Sequence, residues 1–186
     1  MRRRSLDLIL SVTGLVVAIV LAVAGGLLLW GGNFAHATVT TELTAQRIAF
    51  DADPAGLPPE LAQYAGVAVT DGPTAAAYAD LIGVHVAGVA DGKTYSEVSG
   101  EWIAGGRTDE TLAQQRTTLF MGETLRGLLL NAYAFWTFGT IAIIAAWVMW
   151  GAAALLLVLA VLGFVHLGRT SEDEAVFAPA KEAVTV

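Results

Sequence analysis

The chain has 186 residues, 55% of them hydrophobic and 15% charged, and no cysteine. These figures exclude a disulfide-stapled mini-domain, a thiolate metal site and a disordered polyampholyte, and leave an all-α membrane protein as the class that fits. The net charge of −7 is unevenly placed: residues 33–124 hold four basic and twelve acidic side chains, while Arg2, Arg3 and Arg4 lead the sequence. No nucleic acid is expected as a partner, because Arg47, Lys93, Arg107 and Arg116 are scattered and a duplex-binding surface needs a concentrated basic patch.

Residues 1–5 form a short basic lead, and residues 6–30 are the first predicted transmembrane helix. At about 1.5 Å per residue the apolar stretch reaches roughly 37 Å, enough to cross a hydrocarbon core of about 30 Å with some tilt. Basic flanks stay in the cytoplasm, so the N-terminus is predicted cytoplasmic and the acidic middle extracytoplasmic, at the plasma (cell) membrane. Ala35-His36-Ala37 has the small-x-small form of a signal-peptidase site. The preceding apolar stretch is longer than a signal h-region of about 7–15 residues, so a retained anchor is predicted. Gly14, Ala18, Ala22 and Gly26 recur every four residues and predict a helix-packing face, although an alanine-rich chain also produces such stripes by composition.

Residues 31–124 read as a small extracytoplasmic helical domain. Residues 38–50 either extend the first span or form a separate element, residues 51–59 carry three prolines and predict a loop, and Val67-Ala68-Val69 is the one strand-like stretch. Gly72-Pro73 opens a helix that runs to about Ala90 and stops at Asp91-Gly92. Thr94-Tyr95-Ser96-Glu97 matches a capping box and starts a short helix to about Ala104, ended by Gly105-Gly106. Thr108-Asp109-Glu110 then places a cap and two acids at the start of a third helix, which meets no proline on its way to the membrane.

Residues 125–168 form a second apolar run of roughly 66 Å as one helix at about 1.5 Å per residue, twice what one crossing requires. Two readings compete. In the first, residues 144–168 cross and residues 125–143 are a membrane-proximal or interfacial helix, giving two transmembrane helices. In the alternative, residues 125–143 are a further span, a hairpin turns near residues 147–151, and the chain crosses three times. The first is favoured because that turn would have no Pro, Asn, Asp or Ser, and because Arg126, Tyr133, Thr137 and Thr140 give the earlier half a polar face. It also gathers Trp30, Trp147 and Trp150 at the outer interface. Residues 169–186 read as a flexible acidic tail.

Reaction chemistry is sparse. Gly88 to Thr94 resembles a phosphate-binding loop at first sight, but only three residues separate its glycines, no strand precedes it, and the capping box accounts for Thr94. His36, His85 and His166 share no metal-ligand spacing, and His85 among valines reads as a core or boundary residue. Asp51-x-Asp53 reads as a solvated turn before Pro54. Without a Gly-x-Ser-x-Gly elbow, a His-Glu-x-x-His helix or a cysteine nucleophile, no catalytic residue, metal or cofactor is predicted. The richest stretch is Gly122-Glu-Thr-Leu-Arg-Gly127 with the Leu-Leu-Leu-Asn-Ala-Tyr-Ala-Phe-Trp136 that follows. Its Glu123, Arg126, Asn131, Tyr133, Phe135 and Trp136 are candidate interaction residues, in competition with a plain interfacial anchor.

That block, with the arginine-rich start and Lys93-Thr-Tyr-Ser-Glu-Val-Ser99, resembles a family of uncharacterised actinobacterial integral membrane proteins over most of the chain. Members have sometimes been labelled aromatic-ring-opening dioxygenases. A facial triad of two histidines and a carboxylate cannot be assembled here, so the label is not adopted and no functional residues carry over. The expected role is a non-enzymatic scaffold or accessory subunit that touches other membrane proteins, or its own copies, through its helices. The alternative is a carrier or sensor of a lipid or apolar small molecule, with a pocket at Tyr133, Trp136 and Phe138.

Overall fold

The computed structural model describes residues 3–169, so the acidic tail expected beyond Arg169 lies outside the described residues. Four helices carry the chain: α1 (Arg3–Gln46), α2 (Gly72–Val89), α3 (Tyr95–Ala104) and α4 (Glu110–Leu167), with two short 3₁₀ helices, Pro54–Gly56 and Pro59–Tyr64, in the proline-rich connection. The described residues are all-helical apart from one isolated antiparallel bridge, Ala49 to Ala68. Val67-Ala68-Val69 therefore pairs for a single rung: the Phe50 N–H donates to Val67 at 3.0 Å and the Val69 N–H to Ile48 at 2.9 Å.

No proline interrupts residues 3–46, and α1 absorbs residues 38–46 as a direct extension of the apolar helix. It stops at Arg47, whose φ of 54° is the left-handed conformation that closes helices. The hairpin alternative is not what forms. Residues 147–151 lie inside the unbroken α4, for the reason visible in their composition: nothing there releases a backbone hydrogen bond.

The described residues divide into two compact units, residues 3–31 with 142–169 and residues 32–141. In the first unit α1 and α4 pack antiparallel through small residues. Ser11, Ala18 and Gly25 are buried on α1, and Ala146, Ala153 and Ala160 on α4, each set seven residues apart. A seven-residue repeat keeps two slightly supercoiled helices in lasting contact, whereas a four-residue stripe drifts off the seam by about 40° per step. This explains the fate of the predicted stripe. Gly14 faces Ala160, where an added Cβ would sit at 3.8 Å, and Ala18 is buried; Ala22 is exposed, and a Cβ on Gly26 would meet nothing within 4 Å. Trp150 turns inward over Gly25 and donates its indole N–H to the Ala22 carbonyl at 3.0 Å, so its polar end goes to backbone rather than to an interface. Both long helices are long and apolar enough to cross a membrane.

The second unit is built around the alanine-rich α2. Asp71 caps it, with its carboxylate accepting from the Thr74 N–H at 2.9 Å while Thr74 Oγ1 accepts from the Asp71 N–H at 3.1 Å. Ala75, Ala77, Ala79 and Leu81 join Val39 and Leu43 of α1, Leu129 of α4, and Phe50, Leu57, Leu61 and Val69 of the connection in one core. A second cluster of Val86, Ala90, Val98 and Leu119 seats α3, which begins at the predicted capping box: Thr94 Oγ1 accepts from the Glu97 N–H at 3.3 Å, and the Glu97 carboxylate from the Thr94 N–H at 2.8 Å. Asp109 Oδ1 caps α4, accepting from Thr111 and Leu112 at 2.9 and 3.0 Å.

Candidate functional site

The candidate interaction residues of α4 lie on two different faces. Trp136 is turned inward, against Gly72 of α2, where any Cβ would clash with the indole, and flat against His36 of α1 at a ring separation of 3.8 Å and an interplanar angle of 6°. His36 Nε2 lies 3.1 Å from the Trp136 carbonyl and 3.0 Å from Thr140 Oγ1, and the Thr140 hydroxyl also donates to that carbonyl at 3.1 Å. A carbonyl only accepts, so the geometry assigns the proton to Nε2, which donates to both oxygens. Gly139 makes the approach possible: a Cβ there would stand 2.8 Å from His36 Cδ2 and 3.0 Å from the Gly32 carbonyl. This histidine latch fixes α1 against α4 within the second unit. The sequence offers His36 as a metal ligand or as part of a peptidase-site pattern, and no local spacing signals its contact with a tryptophan 100 residues further along the chain.

Arg126 is also turned inward. Its guanidinium crosses α2 at Gly83, where a Cβ would lie 3.3 Å from Nε, and Nη1 stands 3.6 Å from Glu123. Arg126 Nε is buried without a hydrogen-bond partner. It borders a cavity of 520 Å³ walled by Val86 and Leu119 and rimmed by Lys93, Thr94 and Glu123. Two residues of the polar face of α4 read as membrane-proximal serve the interior of this unit, Arg126 meeting α2 and Thr140 meeting α1, while the Thr137 hydroxyl donates back to the Tyr133 carbonyl of its own helix at 2.9 Å. Asn131 and Phe135 point outward on the opposite face, and Tyr133 lies at the margin, partly exposed. The pocket expected at Tyr133, Trp136 and Phe138 is not assembled, since Trp136 is filled by its contacts and Phe138 is 69% exposed.

Around α3 the charges are held locally. Lys93 donates to both Glu101 oxygens at 2.8 Å, which raises its pKa. The Thr94 N–H and hydroxyl hold the Glu97 carboxyl below the usual range. Arg116 stacks over the Trp102 ring at 4.4 Å, and its hydrogen bond to the Tyr95 hydroxyl lowers that group's pKa. Asp51 and Asp53 each accept from a backbone N–H two residues on, at 3.0 and 2.9 Å, so both carboxylates shape the turn. His85 is exposed on α2, outside the core, because its helix turns Val86 inward instead.

The first unit holds a further pair of ionisable groups, Asp7 and His166. Asp7 Oδ2 is buried without a hydrogen-bond partner, 3.9 Å from His166 Nε2, at a groove of 330 Å³ that Ser11 and Gly14 also line. Sequence spacing gave no signal for this pair, which an antiparallel packing of distant helices creates. Among the described residues no group of three or more His, Cys, Asp or Glu side chains could hold a metal ion. No protein-family model, curated protein or solved structure matches the chain.

Proposed function

We propose that the chain is a two-span protein of the plasma membrane, N-terminus cytoplasmic and the unit of residues 32–141 largely extracytoplasmic, serving as a non-enzymatic scaffold or accessory subunit. The observation that carries this reading is the distribution of apolar surface. The two long helices spend their small residues on each other, and Leu, Val, Ile and Phe side chains face outward along both. A surface of that kind is satisfied by lipid and by other helices, and an exposed apolar face is the usual mark of an interaction site. The bilayer is the first partner, and a membrane protein or a second copy the next.

Co-purification from native membranes in mild detergent, followed by native mass measurement, tests the reading. A stable companion or a homo-oligomer is expected; a chain that is only ever an isolated monomer contradicts it. The carrier reading is supported by the 520 Å³ cavity at Arg126, whose mostly apolar wall and unpaired guanidinium nitrogen suit an apolar molecule with an acidic head. A fatty-acid probe whose binding is lost in Arg126→Leu favours that reading, and unchanged binding dismisses it.

A further inference from the structure

Helix packing in the first unit leaves one of its carboxylates unsatisfied. The Asp7 side chain is 19% exposed, its Oδ2 is buried without a hydrogen-bond partner, and His166 Nε2, at 3.9 Å, lies beyond hydrogen-bond reach. A carboxylate withdrawn from water in this way is costly until a positively charged donor meets it. Next to Asp7 the two helices do not close on each other: Leu10 and Gly14 of α1 and Leu156 and Leu159 of α4 wall the groove of 330 Å³, which carries Asp7 and His166 at its end. About one turn beyond that pair, nearer the ends of the helices, come Arg4 and Arg169. We infer that this groove binds a phospholipid with an ethanolamine headgroup, its acyl chain along the apolar walls, its ammonium on the Asp7 carboxylate and its phosphate toward Arg4 and Arg169.

Position and charge together select this occupant. Asp7 and His166 fall at the ends of the proposed spans, residues 6–30 and 144–168, so the polar end of the groove stands at headgroup level and its apolar walls run into the hydrocarbon. The amphiphile that fills such a place is the lipid of that leaflet. The inference rests on the proposed membrane placement, and on neither the scaffold nor the carrier reading, since the groove shares no residue with the cavity at Arg126. The charges then discriminate among headgroups. Basic side chains at the membrane edge attract any phosphate. Asp7 adds the selection: it repels a glycerol headgroup, whose charge is only negative, and it receives no N–H from the quaternary ammonium of choline. A primary ammonium brings N–H donors together with a positive charge, which is the combination the carboxylate lacks.

The test is lipid retention by the full chain. The protein is reconstituted in nanodiscs holding equal parts of phosphatidylcholine, phosphatidylethanolamine and phosphatidylglycerol, released, and its bound lipids are counted by native mass spectrometry. Phosphatidylethanolamine is expected to be retained about tenfold over either of the others, the effect of a charge-assisted hydrogen bond. Asp7→Asn keeps the shape and removes the charge, and should bring the three lipids to about parity. Arg4→Gln with Arg169→Gln should lower retention of all three alike. Leu159→Trp, at a position 53% exposed, fills the groove from its rim and should release the lipid with Asp7 intact. Excess soluble glycerophosphoethanolamine should not displace the lipid, because the groove holds its chain. Equal retention of the three lipids, or an ethanolamine preference that survives Asp7→Asn, overturns the site. Displacement by the soluble headgroup, or full retention in Leu159→Trp, overturns the role of the groove. A chain that stays in solution without detergent overturns the membrane placement instead.

Discussion

Single side chains fix the helix starts of the second unit, and their contributions are separable. Asp71→Ala removes the oxygen that satisfies the Thr74 N–H and should destabilise the unit by about 1 kcal/mol, read as a lowered thermal midpoint with α2 fraying first in hydrogen exchange. Glu97 has its pKa lowered by the Thr94 hydrogen bonds, so its contribution to stability is present above the unfolded value near 4.5 and is lost as pH falls through the folded one. Lys93 runs the other way: its pKa is raised by Glu101, so its contribution persists below 10.5 and is lost as pH rises through the folded value. Exchange rates of the α3 amides should therefore increase at both ends of the pH range, the acid limb disappearing in Glu97→Gln. The two capping boxes show what local sequence makes legible. The Thr94 and Glu97 box is legible because it follows the familiar hydroxyl-to-glutamate pattern, whereas the Asp71 and Thr74 box is not, because threonine stands where that pattern has glutamate.

At the scale of elements, helix contacts depend on which glycines meet a neighbour. Gly139→Val would drive side-chain atoms into His36, Ala35 and the Gly32 carbonyl, and should cost about 1–3 kcal/mol together with the His36 to Thr140 hydrogen bond. Gly26→Ala, by contrast, enters open space and should leave thermal stability in detergent unchanged or slightly higher. Melting curves of the two variants decide between the seven-residue packing line and the four-residue stripe, for the stripe requires Gly26 to matter. Helix existence and most boundaries were readable, because Gly72-Pro73, Asp91-Gly92 and Gly105-Gly106 are strong punctuation and the absence of proline predicts continuity. The packing line was not. Composition offers many spacings of Gly and Ala, and only the geometry of the partner helix selects Ser11, Ala18 and Gly25. Likewise Arg126 and Trp136 were visible as informative residues, but their direction was not, since facing depends on where α2 lies rather than on their own helix.

For the molecule as a whole, the account rests on apolar helices solvated by lipid and on an acidic segment that faces away from the cytoplasm. The apolar exterior of α1 and α4 suits a low-dielectric surrounding, and in the proposed topology the three leading arginines hold the N-terminus in the cytoplasm. A reporter fused after residue 169 should be active only in the cytoplasm, as two crossings require. The most direct measurement is thiol labelling of intact cells with a membrane-impermeant maleimide, using single cysteines in a chain that has none of its own. Ser96→Cys is predicted to label in intact cells and Ser5→Cys only after permeabilisation. Protection of the cysteine at position 96 in intact cells, with labelling after permeabilisation, would contradict the account.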